Sequence, residues 1–171
     1  MFKYFVMLVL ASAMAMPVLA EVDTVMGPHQ GALNFNVSGS YTDVNNYGKT
    51  TSFNGGLNYF FTDAIAGELG LMFNRFEDDF GTDESTTYML GAKYYFMPKP
   101  ENKFFPFLGA RFGGVTGSDM TDETVWMGVL GVDFFVAPNI SITPEFDYGQ
   151  YSNGDSDNFF RFAFGLTYWF K

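Results

Sequence analysis

The last strand-length segment of the chain alternates between two kinds of residue. Every second position from 160 to 170 carries a large apolar side chain, and between them lie Arg161, Ala163, Gly165, Thr167 and Trp169. Because successive side chains of a strand point to opposite faces, this segment predicts a strand with one apolar, aromatic face and one face of small or charged character. The same alternation recurs in seven upstream segments, which favours an amphipathic all-β fold.

Eight strands are predicted from this alternation, over residues 31–41, 51–61, 64–75, 86–96, 104–114, 124–136, 139–148 and 160–170. Their length of about ten residues matches the ~9–11 that a tilted strand needs to cross a bilayer. Backbone groups in hydrocarbon cannot bond to water, so an open sheet edge is forbidden and strand one must pair with strand eight. We therefore predict an all-β fold, an eight-stranded antiparallel up-and-down transmembrane β-barrel, with an interior just wide enough for side chains to fill.

The connections between the predicted strands differ at the two ends. Those near 62–63, 98–102 and 137–139 are short, whereas those near 42–50, 76–85, 115–123 and 149–158 are longer and polar. Outer-membrane barrels have short periplasmic turns and longer outer loops, so both termini are expected in the periplasm. Pro144 lies within the seventh strand and lacks a ladder donor, which predicts a bulge or a local irregularity there.

The start of the chain predicts a cleaved signal peptide over residues 1–20. Lys3 precedes an apolar run, and small or aliphatic residues lead to Ala20, so cleavage is expected after Ala20 and leaves a barrel domain over 21–171. The alternative, a membrane-anchoring helix, needs about 20 apolar residues, and the run is shorter. Cleavage would remove one charge, that of Lys3, and change the formal net charge from −10 to −11.

Charge and composition argue against several classes of protein. A net charge of −10 gives little electrostatic reason to bind nucleic acid. The chain contains no cysteine, which excludes disulfides and thiol metal sites. A lipocalin-type soluble barrel keeps its apolar residues inside, but here the charged residues of the strands share the face opposite the Phe and Leu side chains.

The ionisable residues of the predicted strands, apart from those near the rims, lie on the non-aromatic face and form a candidate lumen charge network: Glu68, Lys93, Arg111, Asp133, Glu145, Asp147 and Arg161. Such a charge on the lipid face would cost about 2–4 kcal/mol at the midplane. Arg161 is expected opposite Glu145 or Asp147, and Lys93 beside Glu68. A paired electrostatic core is the first interpretation, since buried charges need partners. A narrow ion or proton path through the lumen is the alternative.

Catalytic chemistry has little support in the sequence, and we predict no catalytic, cofactor-binding or metal residues. The only histidine is His29, ahead of the first strand, whereas a Ser-His-acid triad needs a histidine beside its nucleophile. The predicted outer loops are acidic, and carboxylate clusters can hold Ca²⁺ or Mg²⁺ and bridge to lipopolysaccharide phosphates. Their spacing matches no calcium loop, so a solvated acidic rim is expected instead.

Two segments carry a family resemblance, residues 106–113 (PFLGARFG) and 165–170 (GLTYWF). With the signal peptide and the eight strands, they resemble the small outer-membrane β-barrel family that includes OmpA-like transmembrane domains and OmpX-like barrels. The resemblance implies that Gly165, Tyr168 and Phe170 form the C-terminal signal read by the barrel assembly machinery, although this chain ends in Lys171 rather than Phe. It also implies periplasmic chaperones as biogenesis partners and contact with outer-membrane lipid and lipopolysaccharide. The sequence does not give the oligomeric state, and a monomer is expected.

These observations predict an integral outer-membrane protein of a Gram-negative bacterium. Its expected role is non-enzymatic, either structural in the envelope or in contact with a surface partner. The alternative function is a small pore or transporter for ions or small solutes through a charged lumen. The resemblance does not choose between them, since members of such families are structural proteins, adhesins or small channels.

Overall fold

The computed structural model describes residues 26–44, 48–77, 81–96, 98–99, 102–117, 123–152 and 158–170. The expected signal peptide lies outside these ranges, so the cleavage site and the domain boundary after Ala20 stay predictions. Among the described residues, no helix is long and apolar enough to cross a membrane.

Eight antiparallel strands form one closed barrel in chain order. They are β1 Leu33–Val44, β2 Gly48–Phe60, β3 Ile65–Glu77, β4 Thr82–Tyr95, β5 Phe104–Gly117, β6 Glu123–Ala137, β7 Ile140–Tyr151 and β8 Asn158–Phe170. The barrel closes where β1 pairs with β8, from Leu33 opposite Phe170 to Gly39 opposite Phe164. The predicted fold class is therefore confirmed.

The strands reach further toward the long-loop end than the sequence suggests. β3 continues to Glu77 and β4 starts at Thr82, with Arg75 opposite Glu84 and Phe76 opposite Asp83. An antiparallel ladder is made by backbone groups, so a run of acidic side chains does not end it. The predicted acidic loop residues Glu77, Asp83 and Glu84 thus belong to strands. Several others lie outside the described residues: Asp78, Asp79, Asp119, Asp122, Asp155 and Asp157.

The two faces of the wall match the predicted alternation. Along β8, Phe160 and Phe162 are 70% and 65% exposed, whereas Arg161 and Ala163 between them are 8% and 0% exposed. The outward apolar side chains of the other strands are exposed in the same way, among them Leu69, Leu90, Phe112 and Leu130. The wall therefore presents an apolar surface to its surroundings and encloses the charged residues.

The lumen is not uniformly polar, although the alternation at the end of the chain predicts an inward face of small or charged residues. An apolar group, here called the aromatic layer, fills the short-turn end: Ala32, Phe60, Ala66, Tyr95, Phe105, Phe107, Val129, Phe135 and Trp169. A second group, the methionine layer, lies toward the long-loop end: Met72, Met89, Val115, Val125 and Met127. An eight-stranded barrel has no room for a water column, so its interior can pack apolar side chains as a soluble core does.

The local irregularity expected at Pro144 is present as a gap in the β6–β7 pairing, where Thr143 and Pro144 have no partner on β6. β6 and β7 keep one register on both sides of this proline, with Gly131 opposite Glu145 and Phe134 opposite Ile142. The register shifts between Phe135 and Ala137, close to the turn that joins these strands. On its other side β7 pairs with β8 without a break, and Pro144 stands opposite Phe164.

The segment before β1, residues 26–32, forms a cap across the short-turn mouth of the barrel. The Met26 amide donates a hydrogen bond to the Pro138 carbonyl (2.7 Å) in the β6–β7 turn, and the Gly31 amide donates to Phe60 (2.9 Å). Gly27 lies so close to the Phe105 ring that a Cβ there would be 2.7 Å from a ring carbon. Phe105 belongs to β5, on the wall opposite β1, so the cap spans the mouth and covers the aromatic layer.

Candidate functional site: the ion layer of the lumen

Six of the seven predicted network residues meet at mid-height in the barrel, between the aromatic and methionine layers. This ion layer consists of Glu68, Lys93, Arg111, Glu145, Asp147 and Arg161, and each residue is at most 8% exposed. They come from β3, β4, β5, β7 and β8. Three cations face three carboxylates, so the layer carries no formal net charge.

Arg111 is the centre of the ion layer. Its Nε and Nη2 donate to Glu68 at 2.7 and 2.9 Å, and its Nη1 and Nη2 donate to Glu145 at 2.6 and 2.9 Å. Glu68 stands on β3 and Glu145 on β7, which are opposite walls of an eight-stranded barrel. Two bidentate, charge-assisted pairs therefore link opposite walls through a single guanidinium.

Lys93 joins the ion layer to the aromatic layer. Its Nζ lies 3.3 Å from Glu68 and 3.8 Å from Glu145, and 4.7 Å from the centre of the Phe107 ring. The predicted Lys93–Glu68 pair is present in the structure. The ring contact places the ammonium where a cation–π attraction adds to its two ion pairs.

Arg161 pairs with Asp147, as the hairpin of β7 and β8 predicts. The two residues stand directly opposite each other, and the Arg161 Nε donates to the Asp147 carboxylate at 2.6 Å. The Arg161 Nη1 also donates to Asn54 Oδ1 on β2 (2.8 Å) and contacts the Met72 sulfur. This arginine thus connects the β7–β8 hairpin to β2, the strand beyond β1. Through Met72 it also contacts the methionine layer.

Asp133 lies apart from the ion layer, which corrects the prediction that it joins the charge network. Its carboxylate accepts hydrogen bonds from Tyr95 (2.9 Å), Ser141 (3.0 Å) and Thr143 (2.5 Å), and these hydroxyl groups come from three inward positions. Ser141 in turn accepts from the Trp169 indole at 3.1 Å. Hydroxyl donors rather than cations satisfy this buried carboxylate, and they tie it to the aromatic layer.

Inward glycines make room for the long charged side chains, a signal that the sequence analysis missed. Gly91 stands opposite Arg111 and Gly109 opposite Lys93. A Cβ at Gly91 would lie 3.0 Å from the Arg111 Cγ, and one at Gly109 would lie 3.1 Å from the Lys93 Cγ. A large lumen side chain beside a glycine on the neighbouring strand is therefore a pattern that can be searched for in the sequence.

Little open space remains beside the ion layer. A cavity of about 10 Å³ lies between Glu68, Arg111, Glu145, Asn36 and Asn54. That volume holds roughly one water molecule. The ion layer can therefore hold the walls together and exclude solvent, and its charged groups are engaged with one another.

The three residues of the expected assembly signal lie on β8. Tyr168 and Phe170 point outward with their rings 5.1 Å apart, and both are partly exposed. Gly165 points inward at the closing seam, where a Cβ would lie 2.5 Å from the Val37 carbonyl oxygen and 2.7 Å from the Ser38 Cβ. Gly165 thus allows the close approach of β1 and β8 in the folded barrel.

Solved outer-membrane barrels share this fold at low sequence identity. The N-terminal β-barrel domain of Pseudomonas aeruginosa OprF is 18% identical, with a TM-score of 0.60 over 82% of this chain and 98% of that one. Neisserial surface protein A gives 13% identity and a TM-score of 0.65 over 81% and 96%. OprG from Pseudomonas aeruginosa gives 14% identity and a TM-score of 0.57 over 85% and 99%. These likenesses concern the fold.

The family is identified by the sequence as a whole. Comparison with curated proteins gives no significant match. The family model described as the outer membrane protein beta-barrel domain matches residues 5–170, nearly the entire chain. The chain therefore belongs to the outer-membrane protein β-barrel family, and its location is the outer membrane.

Proposed function

We propose that this protein is a non-conducting, non-enzymatic barrel that serves the outer membrane as a structural or surface-contact protein. The observation that carries the proposal is the filled lumen. The cap, the aromatic layer, the ion layer and the methionine layer follow one another along the barrel axis, and Arg111 bridges the two walls at mid-height.

A non-enzymatic role is supported by where the reactive side chains lie. His29 is exposed in the cap at the short-turn mouth, and its Nδ1 lies 2.8 Å from the Gly27 carbonyl oxygen. Ser141 and Thr143 are buried and donate to Asp133. The histidine is therefore exposed to solvent, whereas these hydroxyl groups are buried in the lumen. The histidine cannot act as the base that activates either hydroxyl group as a nucleophile.

Conductance in planar lipid bilayers tests the proposal. The purified barrel is expected to give no resolved single-channel steps at moderate voltage, because ions would have to cross a sealed, paired ion layer. A wide eighteen-stranded porin reconstituted in the same bilayers serves as the positive control. Steady steps from the purified barrel that change with Glu145→Ala would contradict the proposal and favour the alternative function, a small ion pore.

We also propose that Gly165, Tyr168 and Phe170 act in biogenesis as the C-terminal signal for the barrel assembly machinery, after delivery by periplasmic chaperones. The outward position of Tyr168 and Phe170 on β8, the strand that pairs with β1 to close the barrel, supports this role. Gly165 has a second role in the close β1–β8 contact.

A further inference from the structure

The gap in the β6–β7 ladder is confined to one place in the wall. Four residues lie outside the pairing, Val132 and Asp133 on β6 and Thr143 and Pro144 on β7, and the ladder resumes on both sides in the same register. On their other sides these residues are paired: Val132 stands opposite Pro106 of β5, and Pro144 stands opposite Phe164 of β8. Each strand is therefore held by its other neighbour, and only the contact between β6 and β7 is interrupted.

Pro144 accounts for the gap because of the direction in which its backbone faces. The Phe135 amide donates toward β5, and the backbone groups of alternate residues face opposite neighbours, so Val132 faces β7. The Asn139 carbonyl accepts from β8, so by the same alternation Pro144 faces β6. The register on either side of the gap places Val132 and Pro144 opposite each other. A proline has no N–H, so it cannot donate to the Val132 carbonyl.

The lipid outside the wall does not replace the missing donor. The outward neighbours of the gap along the two strands are exposed apolar side chains, among them Leu130, Phe134 and Phe146. Hydrocarbon at such a surface has no group that can donate to a backbone carbonyl. The backbone therefore holds β6 and β7 together less firmly at the gap than at the continuous parts of their ladder.

Side chains on the lumen side join the two strands across the gap. The Thr143 hydroxyl donates to the Asp133 carboxylate at 2.5 Å, and the Ser141 hydroxyl donates to the same oxygen at 3.0 Å. Both hydrogen bonds run from β7 to β6, and the three residues are at most 2% exposed, so water does not compete for them. These side chains thus supply cross-strand bonds at the place where the proline removes one from the backbone.

Asp133 is the common acceptor of a longer chain of hydrogen bonds. The Thr167 hydroxyl of β8 lies 2.7 Å from the Thr143 hydroxyl, and Asn36 of β1 donates to Thr167 at 2.9 Å. Because Thr143 gives its single proton to Asp133, Thr167 must donate to Thr143. Tyr95 of β4 donates to the other carboxylate oxygen at 2.9 Å. Loss of the carboxylate would leave the donors on both sides without their acceptor.

We propose that the β6–β7 wall at Pro144 is a lateral opening point of the barrel, and that Asp133 is the latch that keeps it closed. In the closed state the hydrogen bonds to Asp133 hold the two strands together. When these bonds break, β6 and β7 separate locally at the gap, while β5 and β8 still hold each of them. The opening leads from hydrocarbon to the aromatic layer, since the Trp169 indole donates to Ser141 beside the gap. This device goes beyond the proposed function, because it concerns the wall and not the ion layer.

Hydrogen exchange of single backbone amides, followed by NMR of the barrel in detergent micelles, tests the latch. The amides of Val132 and Phe134 face β7 and report on the gap, whereas the Thr143 amide faces β8 and reports on an unbroken ladder. Asp133→Ala should speed exchange at Val132 and Phe134 at least about tenfold, because local opening governs the exchange of protected amides. Exchange at Thr143 should change by less than about twofold.

Restoring the backbone donor should make the latch dispensable. Pro144→Ala supplies an N–H opposite Val132, and when added to Asp133→Ala it should return exchange at the gap to within about threefold of the unaltered barrel. Pro106→Ala is the matched control. Pro106 stands opposite the same Val132 from β5, but its carbonyl accepts from Phe96, so its backbone faces β4. This variant should give no rescue.

A second control separates the latch from an ordinary buried hydrogen bond. Asn58→Ala removes a cross-strand bond of 2.7 Å to Asn34, which stands directly opposite in an intact ladder. Exchange at the gap should then stay within about twofold of the unaltered barrel. If Asp133→Ala does not fold, Thr143→Val takes its place, because it removes the hydroxyl that donates to Asp133 across the gap.

The proposal is overturned if Asp133→Ala leaves exchange at the gap unchanged. It is also overturned if this variant speeds exchange equally along β6, β7 and β8, because the carboxylate would then support the whole barrel and not one opening point. Failure of Pro144→Ala to slow exchange at the gap, or an equal rescue by Pro106→Ala, would show that the missing backbone donor does not create the weak point.

Discussion

Replacement of Arg111 by methionine is expected to lower the free energy of unfolding by about 3–5 kcal/mol, the usual cost of breaking a buried ion pair by removing one partner. Arg111 donates four hydrogen bonds of 2.6–2.9 Å to two carboxylates on opposite walls. Without Arg111, the two carboxylates would share one cation, Lys93. Its Nζ lies 3.3 Å from Glu68 and 3.8 Å from Glu145, further away than the arginine nitrogens. The ion layer would then hold three carboxylates and two cations.

The free energy of unfolding is measured by urea titration of the barrel in lipid vesicles, with tryptophan fluorescence as the signal. Two further variants test whether the loss of stability is specific to the ion layer. Arg75→Met removes an arginine whose partner Glu77 is about half exposed, so its loss should cost below about 1 kcal/mol. Glu68→Gln added to Arg111→Met restores the charge balance and should recover most of the lost stability. Equal costs for Arg111→Met and Arg75→Met would contradict the central role of the ion layer.

Replacement of Leu69 by arginine is expected to cost about 2–4 kcal/mol and to reduce assembly sharply. Leu69 is 58% exposed on the outer face and stands between Leu57 and Leu90, which also point outward. A guanidinium in this row would face hydrocarbon without a partner. Phe162→Arg places the same charge on the lipid-facing side of β8 and should have a similar effect.

The matched control for these two variants is Asn36→Ala, on the lumen face. Asn36 donates one hydrogen bond to Thr167 at 2.9 Å, so its loss should cost roughly 0.5–1.5 kcal/mol. The fraction of protein recovered in the outer membrane, or refolded into vesicles, provides the measurement. Comparable losses for all three variants would mean that the two faces of the wall have been assigned wrongly.

The fold and the local ion pairs could be predicted from sequence because both depend on neighbouring strands. Alternation fixed which residues point inward, and a hairpin places Arg161 opposite Asp147. Lys93 and Glu68 stand on adjacent strands and also meet as expected. The link from Glu68 through Arg111 to Glu145 was not predicted, because it crosses the lumen. Contacts across the lumen depend on the diameter of the closed barrel and on the stagger of its strands. The alternation of residues within one strand does not determine either quantity.

The composition of the lumen was predicted less well for a physical reason. Phe60, Tyr95 and Phe107 occupy inward positions of the alternation, yet the expectation of a polar interior comes from wide barrels that contain water. In a narrow barrel the same positions form a dry core, and Asp133 can be satisfied by hydroxyl groups. The cap has no periodicity, and only its tertiary contacts with Phe105 and Pro138 identify it.

Thiol accessibility at two adjacent positions of β8 tests the central claim, a sealed lumen inside a lipid-facing wall, most directly. The chain has no cysteine, so Phe162→Cys and Ala163→Cys each introduce a single thiol. Position 162 is 65% exposed on the outer face, and position 163 is 0% exposed opposite Glu145.

In vesicles, the thiol at 162 should react with an apolar, membrane-soluble maleimide. The thiol at 163 should resist a charged, water-soluble reagent until urea unfolds the barrel. Rapid reaction of the thiol at 163 with the charged reagent in the folded protein would contradict the account, because it would show that water fills the lumen beside the ion layer.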